Sequence, residues 1–574
     1  MVYTLCMASL QQYTSGGRKY WRIVESFRDP KNGRPKIRVV KHLGTVASIL
    51  ARLEGPERHT SVRSTSHGDV VSLLRMAEEV GVVSAIDDTL LAQYPAGVPT
   101  LDGLTPGQSC VLIAIGRACH PTSKMGWAGW ARNTSLPDLW HLSVNKLTSQ
   151  FFWEQMDRIP TTALAAIDEK LAIQALKVHG EPLDLLLYDA TNFFTYIASD
   201  NDRCDLAQRG KNKQKRYDLR QFSLALLVSR HGKLPLWHEV YRGDRADVSV
   251  FADILSRLRA RIAALTSDAS DVTVVYDRGN NASKANQAMV DDSNFHYVAA
   301  LTPAHHGALI EEANGALEPV QVRASESVMA WRTRREIWGA ERTCIVFVSE
   351  SLREGQIRGF HQHLKKRQEQ LATLSQALLN PRARRRNRDR LDKQIARILS
   401  GQRICQVLKV DVEEREPGKY RLTTWIDEQA YHELVDHHFG RRILITDRHD
   451  WSVAEIILAY RGQCDVEESF KILKDPFHLA LRPQHHWTDQ KIKVHALCCV
   501  LAYLLVRLLH IRVLERTSFA GTTRRFMDLL GQIRRATIVE HVAGDPGRPR
   551  VRHVLDYPDD PVLDEFIEAL NITP

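Results

Sequence analysis

The sequence predicts a mixed α/β protein made of several domains. Residues 183–188 are almost continuously apolar, as in a strand covered on both faces of its sheet, and Asp189 follows them. Residues 272–276 form a second short strand pattern, which Asp277 follows. Upstream of both, apolar residues recur every three to four positions, which is the helical period. At 574 residues the chain is too long for one core, so we expect the helical and α/β parts to be separate domains.

Composition indicates the kind of partner and the compartment. The net charge of +10 favours a polyanionic partner, most commonly nucleic acid. The 9 cysteines are scattered without a Cys-x-x-Cys pair, which is typical of reduced thiols in a cytoplasmic protein. The first residues lack a signal-peptide layout, and the longest apolar run, residues 496–506, is too short to span a bilayer. We therefore expect a cytoplasmic protein with no membrane partner.

The N-terminal region, residues 1–60, is predicted to contain a β-hairpin. Two alternating segments within residues 19–44 flank a turn at residues 29–34 that contains Pro, Asn and Gly. The basic flanks of the hairpin suit either a phosphate contact or a solvated sheet edge. Residues 55–67 are polar without a period, and we expect a linker there.

Residues 68–178 are predicted to be an all-helical DNA-binding region. Leu73, Met76 and Val80 follow the helical period, and Pro106 and Pro160 mark helix starts. Basic and aromatic side chains alternate here, as in a surface that binds the end of a DNA duplex, although for this segment alone a plain helical bundle is the commoner explanation. These side chains are Arg117, Lys124, Arg132, Lys146, Trp127, Trp130 and Trp140.

Residues 179–320 are predicted to be the first part of a catalytic domain. The pattern reads strand, strand, strand, helix, strand, helix, strand, which is the element order of the ribonuclease H-like fold. The segments are residues 183–188, 222–229, 234–242, 247–265, 272–276, 283–289 and 295–301. In an open sheet of this kind the first and fourth strands lie side by side, so Asp189 and Asp277 are expected to meet in one crevice.

The rest of the chain is divided into three parts. Residues 321–440 combine strand and helix patterns and are predicted to be an insertion that interrupts the catalytic domain. Residues 441–530 are the predicted second part of that domain, and residues 531–574 a C-terminal tail rich in Pro, Gly and Asp.

A helix predicted over residues 460–474 carries the third acidic residue. At about 100° per residue, one stripe contains the polar side chains and an adjoining stripe contains apolar ones. The polar stripe consists of Tyr460, Gln463, Glu467, Lys471 and Lys474. Glu468 falls on another face beside Arg461 and Asp465, where a surface ion pair is expected. Taken alone, the segment is equally typical of an amphipathic surface helix.

Asp189, Asp277 and Glu467 together indicate metal-assisted chemistry. Clustered carboxylates repel one another unless a cation neutralises them, and Mg²⁺ or Mn²⁺ prefers carboxylate oxygen. Two such ions about 4 Å apart activate a water or a 3′-hydroxyl and stabilise the leaving oxygen in an attack on phosphorus. We therefore predict that these three residues are catalytic and bind two metal ions.

The same residues give the chain a resemblance to a known family. It resembles the DDE transposases of bacterial insertion sequences, in the insertion-sequence-four superfamily, whose signature is Tyr, two residues, Arg, three residues, Glu, six residues, Lys. Tyr460, Glu467 and Lys474 stand at that spacing. The residues from Tyr188 to Phe193 resemble the segment around the family's first Asp, and Asp277-Arg278-Gly279 resembles the second. One departure is that Gln463 occupies the position of the signature Arg.

The resemblance implies a function and further site residues. It implies an enzyme that binds the terminal inverted repeats of its own element, pairs two ends as a homodimer, cleaves DNA, and joins 3′-hydroxyl ends to target DNA at the nucleoid. The implied DNA-binding residues are Tyr460, Lys474, Lys471, Gln463 and Arg278. Trp425 or Trp451 in the insertion would stack on an unpaired base.

Two other functions fit the same residues. A ribonuclease H-like nuclease without strand transfer would use the same site. A DNA-binding protein descended from a transposase, without catalysis, would not need the three carboxylates.

Overall fold

The computed structural model describes residues 8–30, 32–54, 58–210, 212, 214–245, 247–277, 294–380, 385–401, 403–479, 481, 484–542 and 549–574. The strands of this part of the chain are β1 Ala8–Ser15, β2 Arg18–Arg28, β3 Pro35–Gly44, β4 Arg58–Ser66, β5 Leu185–Thr195, β6 Arg220–Ser229, β7 Pro235–Arg242, β8 Thr273–Tyr276, β9 His296–Leu301, β10 Glu318–Arg323, β11 Glu326–Ile337, β12 Ala340–Val348, β13 Leu408–Glu416, β14 Lys419–Ile426, β15 Arg441–Thr446, β16 Arg534–Val542 and β17 Arg550–Asp556.

The helices of the same residues are α1 Val46–Glu54, α2 Gly68–Glu79, α3 Val82–Leu90, α4 Pro106–Cys119, α5 Lys124–Ala131, α6 Leu136–Leu139, α7 Ser149–Asp157, α8 Leu164–His179, α9 Asp247–Leu265, α10 Gly307–Asn314, α11 Glu350–Leu379, α12 Arg388–Leu399, α13 Ile404–Val407, α14 Glu428–His437, α15 Val453–Arg461, α16 Gln463–Lys474, α17 Asp489–Arg516, α18 Thr523–Leu530 and α19 Pro561–Ala569. The helix predicted at residues 283–289 lies outside the described residues.

The chain forms two compact units, of which the first comprises Met1–Val71, Ala131–Leu142 and Asp528–Pro574. Its N-terminal sheet has the order β1-β2-β3. The predicted hairpin is confirmed, because β2 and β3 pair antiparallel around the turn that follows Arg28. β1 is an additional strand, joined to β2 through Gly16 and Gly17, whose φ angles of 55° and 75° suit a two-residue hairpin turn.

A second sheet of this first unit has the order β17-β16-β4. The linker predicted at residues 55–67 is therefore wrong for most of its length, because β4 pairs with β16 along its whole length. The partner lies 470 residues away, as in the bond from Thr65 to the Arg535 carbonyl, so local sequence gave no sign of it. Residues 531–574, predicted as a tail, supply β16, β17 and α19.

The second unit comprises Ser72–Trp130 and Ser143–Met527. Its helices α4, α7 and α8 pack against α17, and α3 packs against α4 and α8. The helical pattern predicted for these residues is therefore confirmed, although Ala131–Leu142 belongs to the first unit. α17 has the length and composition to cross a bilayer, with a mean hydropathy of 2.1, but 89% of its apolar window is buried inside the protein. The helix extends well beyond the apolar run of residues 496–506, and burial in this helical core accounts for its apolar character.

The described strands of the second unit include a nine-stranded sheet with the order β10-β11-β12-β15-β9-β8-β5-β6-β7. β5, β8 and β9 are parallel to one another, and the remaining pairs are antiparallel. The predicted hairpin of β6 and β7 and the predicted helix α9 are both confirmed. The sheet positions the site because the parallel pairing of β5 with β8 ends at Tyr188 and Tyr276, just before two aspartates.

The insertion predicted at residues 321–440 is divided in the structure. β10, β11 and β12 belong to the large sheet and reach its centre through β15. The residues after Val348 form a separate hydrophobic cluster that includes Phe360, Leu371, Leu391 and Leu434. The part with its own core therefore begins at α11.

Candidate active site

Asp189 and Asp277 are neighbours on paired strands. Tyr188 and Tyr276 are partners in the parallel register of β5 and β8, so the next residue on each strand is an aspartate. Adjacent strands lie about 4.8 Å apart, which brings the two carboxylates to one place. Asp189 is not at a strand end as predicted, because β5 continues to Thr195 in its pairing with β6. The β5–β8 pairing ends just before the two aspartates, and both of them are half-buried.

The predicted helix over residues 460–474 is in fact two helices, α15 and α16, separated by Gly462. Ser452 caps the start of α15 and forms a capping box with Glu455. A Cβ on Gly462 would lie 3.0 Å from the Leu187 side chain on β5. A larger side chain at this position would therefore press against Leu187, and glycine avoids that contact.

Gln463 attaches the start of α16 to the two central strands. Its amide nitrogen donates to the Val275 carbonyl at 2.7 Å and to the Tyr188 carbonyl at 3.2 Å. The side chain is buried, with 9% of its surface exposed. The amide nitrogen of this predicted DNA-contacting residue is thus bound to carbonyls one and two residues before Asp189 and Asp277.

The far end of α16 is attached to β5. The Lys474 ammonium donates to the Thr191 hydroxyl and lies 5.3 Å from the centre of the Phe193 ring. Glu467 lies four residues after Gln463 and seven before Lys474, so the three share one helical stripe. α16 consequently runs along β5, and the exposed Glu467 is carried between two points of attachment that bracket Asp189 on the strand.

Other contacts hold α16 from its remaining sides. The Ser469 hydroxyl is 2.8 Å from the Tyr503 hydroxyl on α17. Lys233 forms ion pairs with Asp465 at 3.0 Å and Glu468 at 2.6 Å. The ion-pair role predicted for Glu468 is confirmed, although its partner is Lys233 and not Arg461.

Tyr460 and an arginine from β15 complete the surroundings of Asp277. The Tyr460 hydroxyl donates to Asp277 Oδ1 at 3.1 Å. Arg442 in turn donates from Nη1 to the Tyr460 hydroxyl at 3.3 Å. Sequence reasoning missed Arg442, because an arginine at the start of a strand pattern carries no local signal. Only the register of β15 in the sheet reveals its position.

The donor chemistry of the site fits a divalent metal, since Asp189, Asp277 and Glu467 present only carboxylate oxygens. In the described part of the chain, however, no three His, Cys, Asp or Glu side chains are gathered around one point suited to a metal ion. Asp189 and Asp277 are adjacent through their strands, whereas Glu467 is exposed on its helix. Coordination of one ion by all three therefore requires a closer approach of these carboxylates than the structure shows.

The other residues predicted to contact DNA lie in different parts of the chain. Lys471 is exposed on α16, and Arg278 lies outside the described residues. Trp425 on β14 is 49% exposed. Trp451 is half-buried, with the Arg448 guanidinium 5.3 Å from the centre of its ring. An exposed aromatic in the insertion is thus present at Trp425.

Two residues of the predicted DNA grip belong to the helical core of the second unit. Trp127 is buried, and its ring lies 5.1 Å from that of Phe152. The Lys124 ammonium is 2.5 Å from His486 Nε2, and burial, with Arg117 nearby, lowers the pKa of Lys124 to about 8. Both side chains are therefore engaged within the protein.

Comparison with known families gives the class of protein and then the family. A model described as the transposase DDE domain matches residues 180–505, and a model described as the N-terminal domain of IS1634 family transposases matches residues 10–57. The class is that of transposases, metal-dependent enzymes that act on DNA. The chain belongs to the DDE transposase family of insertion sequences.

The chain also has a similarity to a solved transposase structure. The piggyBac transposase synaptic complex with hairpin DNA is similar with a TM-score of 0.39 and 8% identity, over 80% of this chain and 79% of that chain. No curated protein sequence matches the chain.

Proposed function

We propose that this transposase binds the terminal inverted repeats of its own element, cleaves there, and joins the freed 3′-hydroxyl ends to target DNA. The proposal rests on one observation, the adjacent placement of Asp189 and Asp277 beneath a helix that carries Glu467. In this proposal the large sheet is a ribonuclease H-like core, and a homodimer pairs two element ends.

Each side chain of the site has a distinct role in the proposed reaction. Asp189, Asp277 and Glu467 would hold two Mg²⁺ or Mn²⁺ ions, which supply an activated nucleophile and stabilise the leaving oxygen. Gln463 keeps α16 in place through two backbone carbonyls. Lys474, beside Thr191, offers a cation to the DNA backbone close to Asp189. Lys471, exposed on the same helix, would contact a neighbouring phosphate.

Aspartate substitution tests the proposal. Asp189→Asn and Asp277→Asn each remove a charge from the carboxylate pair with almost no change of shape. We expect both variants to bind duplex DNA carrying the sequence that flanks the gene, and to lose Mg²⁺-dependent nicking by at least a hundredfold, since catalytic electrostatic contacts contribute on that scale. Wild-type nicking by either variant would refute the site.

Glu467 has a matched control in the next residue. Glu467→Gln should lose nicking, whereas Glu468→Gln removes an equal charge from the same helix and only breaks the surface pair with Lys233. Equal effects of the two changes would contradict the assignment of Glu467.

Strand transfer and dimerisation are tested separately. A duplex with a labelled 3′ end that becomes joined to a supercoiled plasmid demonstrates strand transfer, whereas nicking without joining identifies a nuclease. Light scattering of the complex with end DNA gives its stoichiometry, and a complex with one chain would refute the homodimer.

A further inference from the structure

Arg442 is a half-buried cation whose hydrogen-bond partner is a tyrosine. It donates to the Tyr460 hydroxyl at 3.3 Å, and its guanidinium carbon lies 5.8 Å from the centre of that ring. Among the described residues it forms no ion pair with a carboxylate. Arginine keeps its charge at all physiological pH values, so a partly desolvated guanidinium without an acid partner favours an anionic ligand.

The register of the sheet places Arg442 on the same face as the two aspartates. Tyr276 pairs with Ala299, so Asp277 is level with Ala300, which pairs with Leu444 on β15. Side chains on paired residues share a face, as do residues two apart on one strand. Arg442 therefore points to the side of the sheet that carries Asp277, which agrees with their shared contact through Tyr460.

The charges on this face are divided between its two sides. Lys474 stands on the β5 side, beside Thr191, while Arg442 stands on the side of β15. Gln463 contributes no charge, and its amide nitrogen is committed to the Val275 and Tyr188 carbonyls. Within the described residues, Arg442 is thus a cation linked to Asp277 through a direct chain of hydrogen bonds.

We propose that Arg442 and Tyr460 together bind one backbone phosphate of the DNA on the Asp277 side of the site. This inference rests on the proposed function, since it takes the same crevice to be where DNA binds. The guanidinium supplies charge and paired donors that suit a phosphate, and the tyrosine hydroxyl supplies a further donor.

The geometry also couples phosphate binding to Asp277. The Tyr460 hydroxyl has a single proton, which it now donates to Asp277 Oδ1. When a phosphate oxygen accepts the hydrogen bond from the Tyr460 hydroxyl, Asp277 no longer receives it. DNA binding therefore leaves both oxygens of that carboxylate available for other partners.

Salt dependence of DNA binding tests the proposal. Each phosphate contact contributes about 0.9 to the slope of log affinity against log salt concentration. With a fluorescent duplex that carries the DNA flanking the gene, Arg442→Gln should make the slope shallower by about 0.9, and Arg442→Lys should retain it because the charge remains. Arg334→Gln is the matched control, since Arg334 lies on β11 in an exposed pair with Glu341.

A second neutral variant distinguishes a lost phosphate contact from misfolding. Arg442→Met keeps the apolar stem against the Tyr460 ring and should give the same shallower slope as Arg442→Gln, with an unchanged melting temperature. A wild-type slope in either folded neutral variant would overturn the role of Arg442. That outcome can be told apart from failure of the proposed function. The proposed function is tested by the loss of nicking in Asp277→Asn, whereas the role of Arg442 is tested by the salt dependence of DNA binding.

Discussion

Removal of the Gln463 amide should loosen α16 from the sheet. Gln463→Ala deletes two hydrogen bonds to buried carbonyls, those of Val275 and Tyr188, at 2.7 and 3.2 Å. A net contribution of about 1 kcal/mol for each bond gives a loss of about 2 kcal/mol, before any cost of leaving the carbonyls unsatisfied. Because this attachment positions Glu467, nicking should fall in parallel with the local stability of the helix.

Hydrogen exchange measures this loss directly. About 2 kcal/mol corresponds to roughly thirtyfold faster exchange through local opening, read on peptides that cover residues 463–474. Cys464→Ala is the matched control, because Cys464 is exposed at the next position of the same helix. If Gln463→Ala and Cys464→Ala exchange at the same rate in these peptides, the reasoning that the amide holds α16 is refuted.

Two further predictions concern stability. Burial, with Arg507 nearby, lowers the pKa of His510 to about 4. Because the pKa of this histidine is lower in the folded than in the unfolded chain, the unfolded chain binds the extra proton first as the pH falls. The stability present above pH 6.5 is therefore lost at lower pH, by about 2 kcal/mol between pH 7 and 5. Melting temperatures of wild type and His510→Asn measured against pH should have different slopes, and parallel slopes would contradict the prediction. Gly243→Ala should destabilise the second unit by more than about 2 kcal/mol in urea unfolding, because its Cβ would lie 1.9 Å from the Gln221 carbonyl oxygen. Gly355→Ala, in the second turn of α11 with open space around it, should instead stabilise by about 0.5 to 1 kcal/mol.

Local patterns predicted most elements of the large sheet and the helices around it. The bounds of α9 and the β6–β7 hairpin follow from apolar periodicity and turn residues, which act over a few positions. β4 could not be predicted in this way. Its residues are polar and alternate weakly, and they become a strand only because β16 pairs with them. The membership of β10, β11 and β12 in the large sheet likewise depends on contacts with β15 that no short segment encodes.

The neighbouring positions of Asp189 and Asp277 could be predicted from the sequence, but the residues that surround them could not. Aspartates after two apolar strands predicted that the strands are neighbours, and the pairing of β5 with β8 confirms this. The break at Gly462 was missed because the polar and apolar stripes continue across it, and the close approach of Leu187, from a strand far away in sequence, leaves no local signal. Arg442 was missed for the same reason, since its importance comes from Tyr460 and not from its neighbours on β15.

Because β4 pairs with β16, β4 has no partner until β16 has been translated. A ribosome that adds about 5 to 20 residues per second needs roughly 25 to 95 s to cover the 470 residues between the partners. Throughout this interval the nascent β4 has a bare edge able to join another polypeptide. A premature stop codon shortly before residue 534 would remove β16, so the edge of β4 would stay unpaired. Such truncated products should precipitate, even though they contain every proposed catalytic side chain.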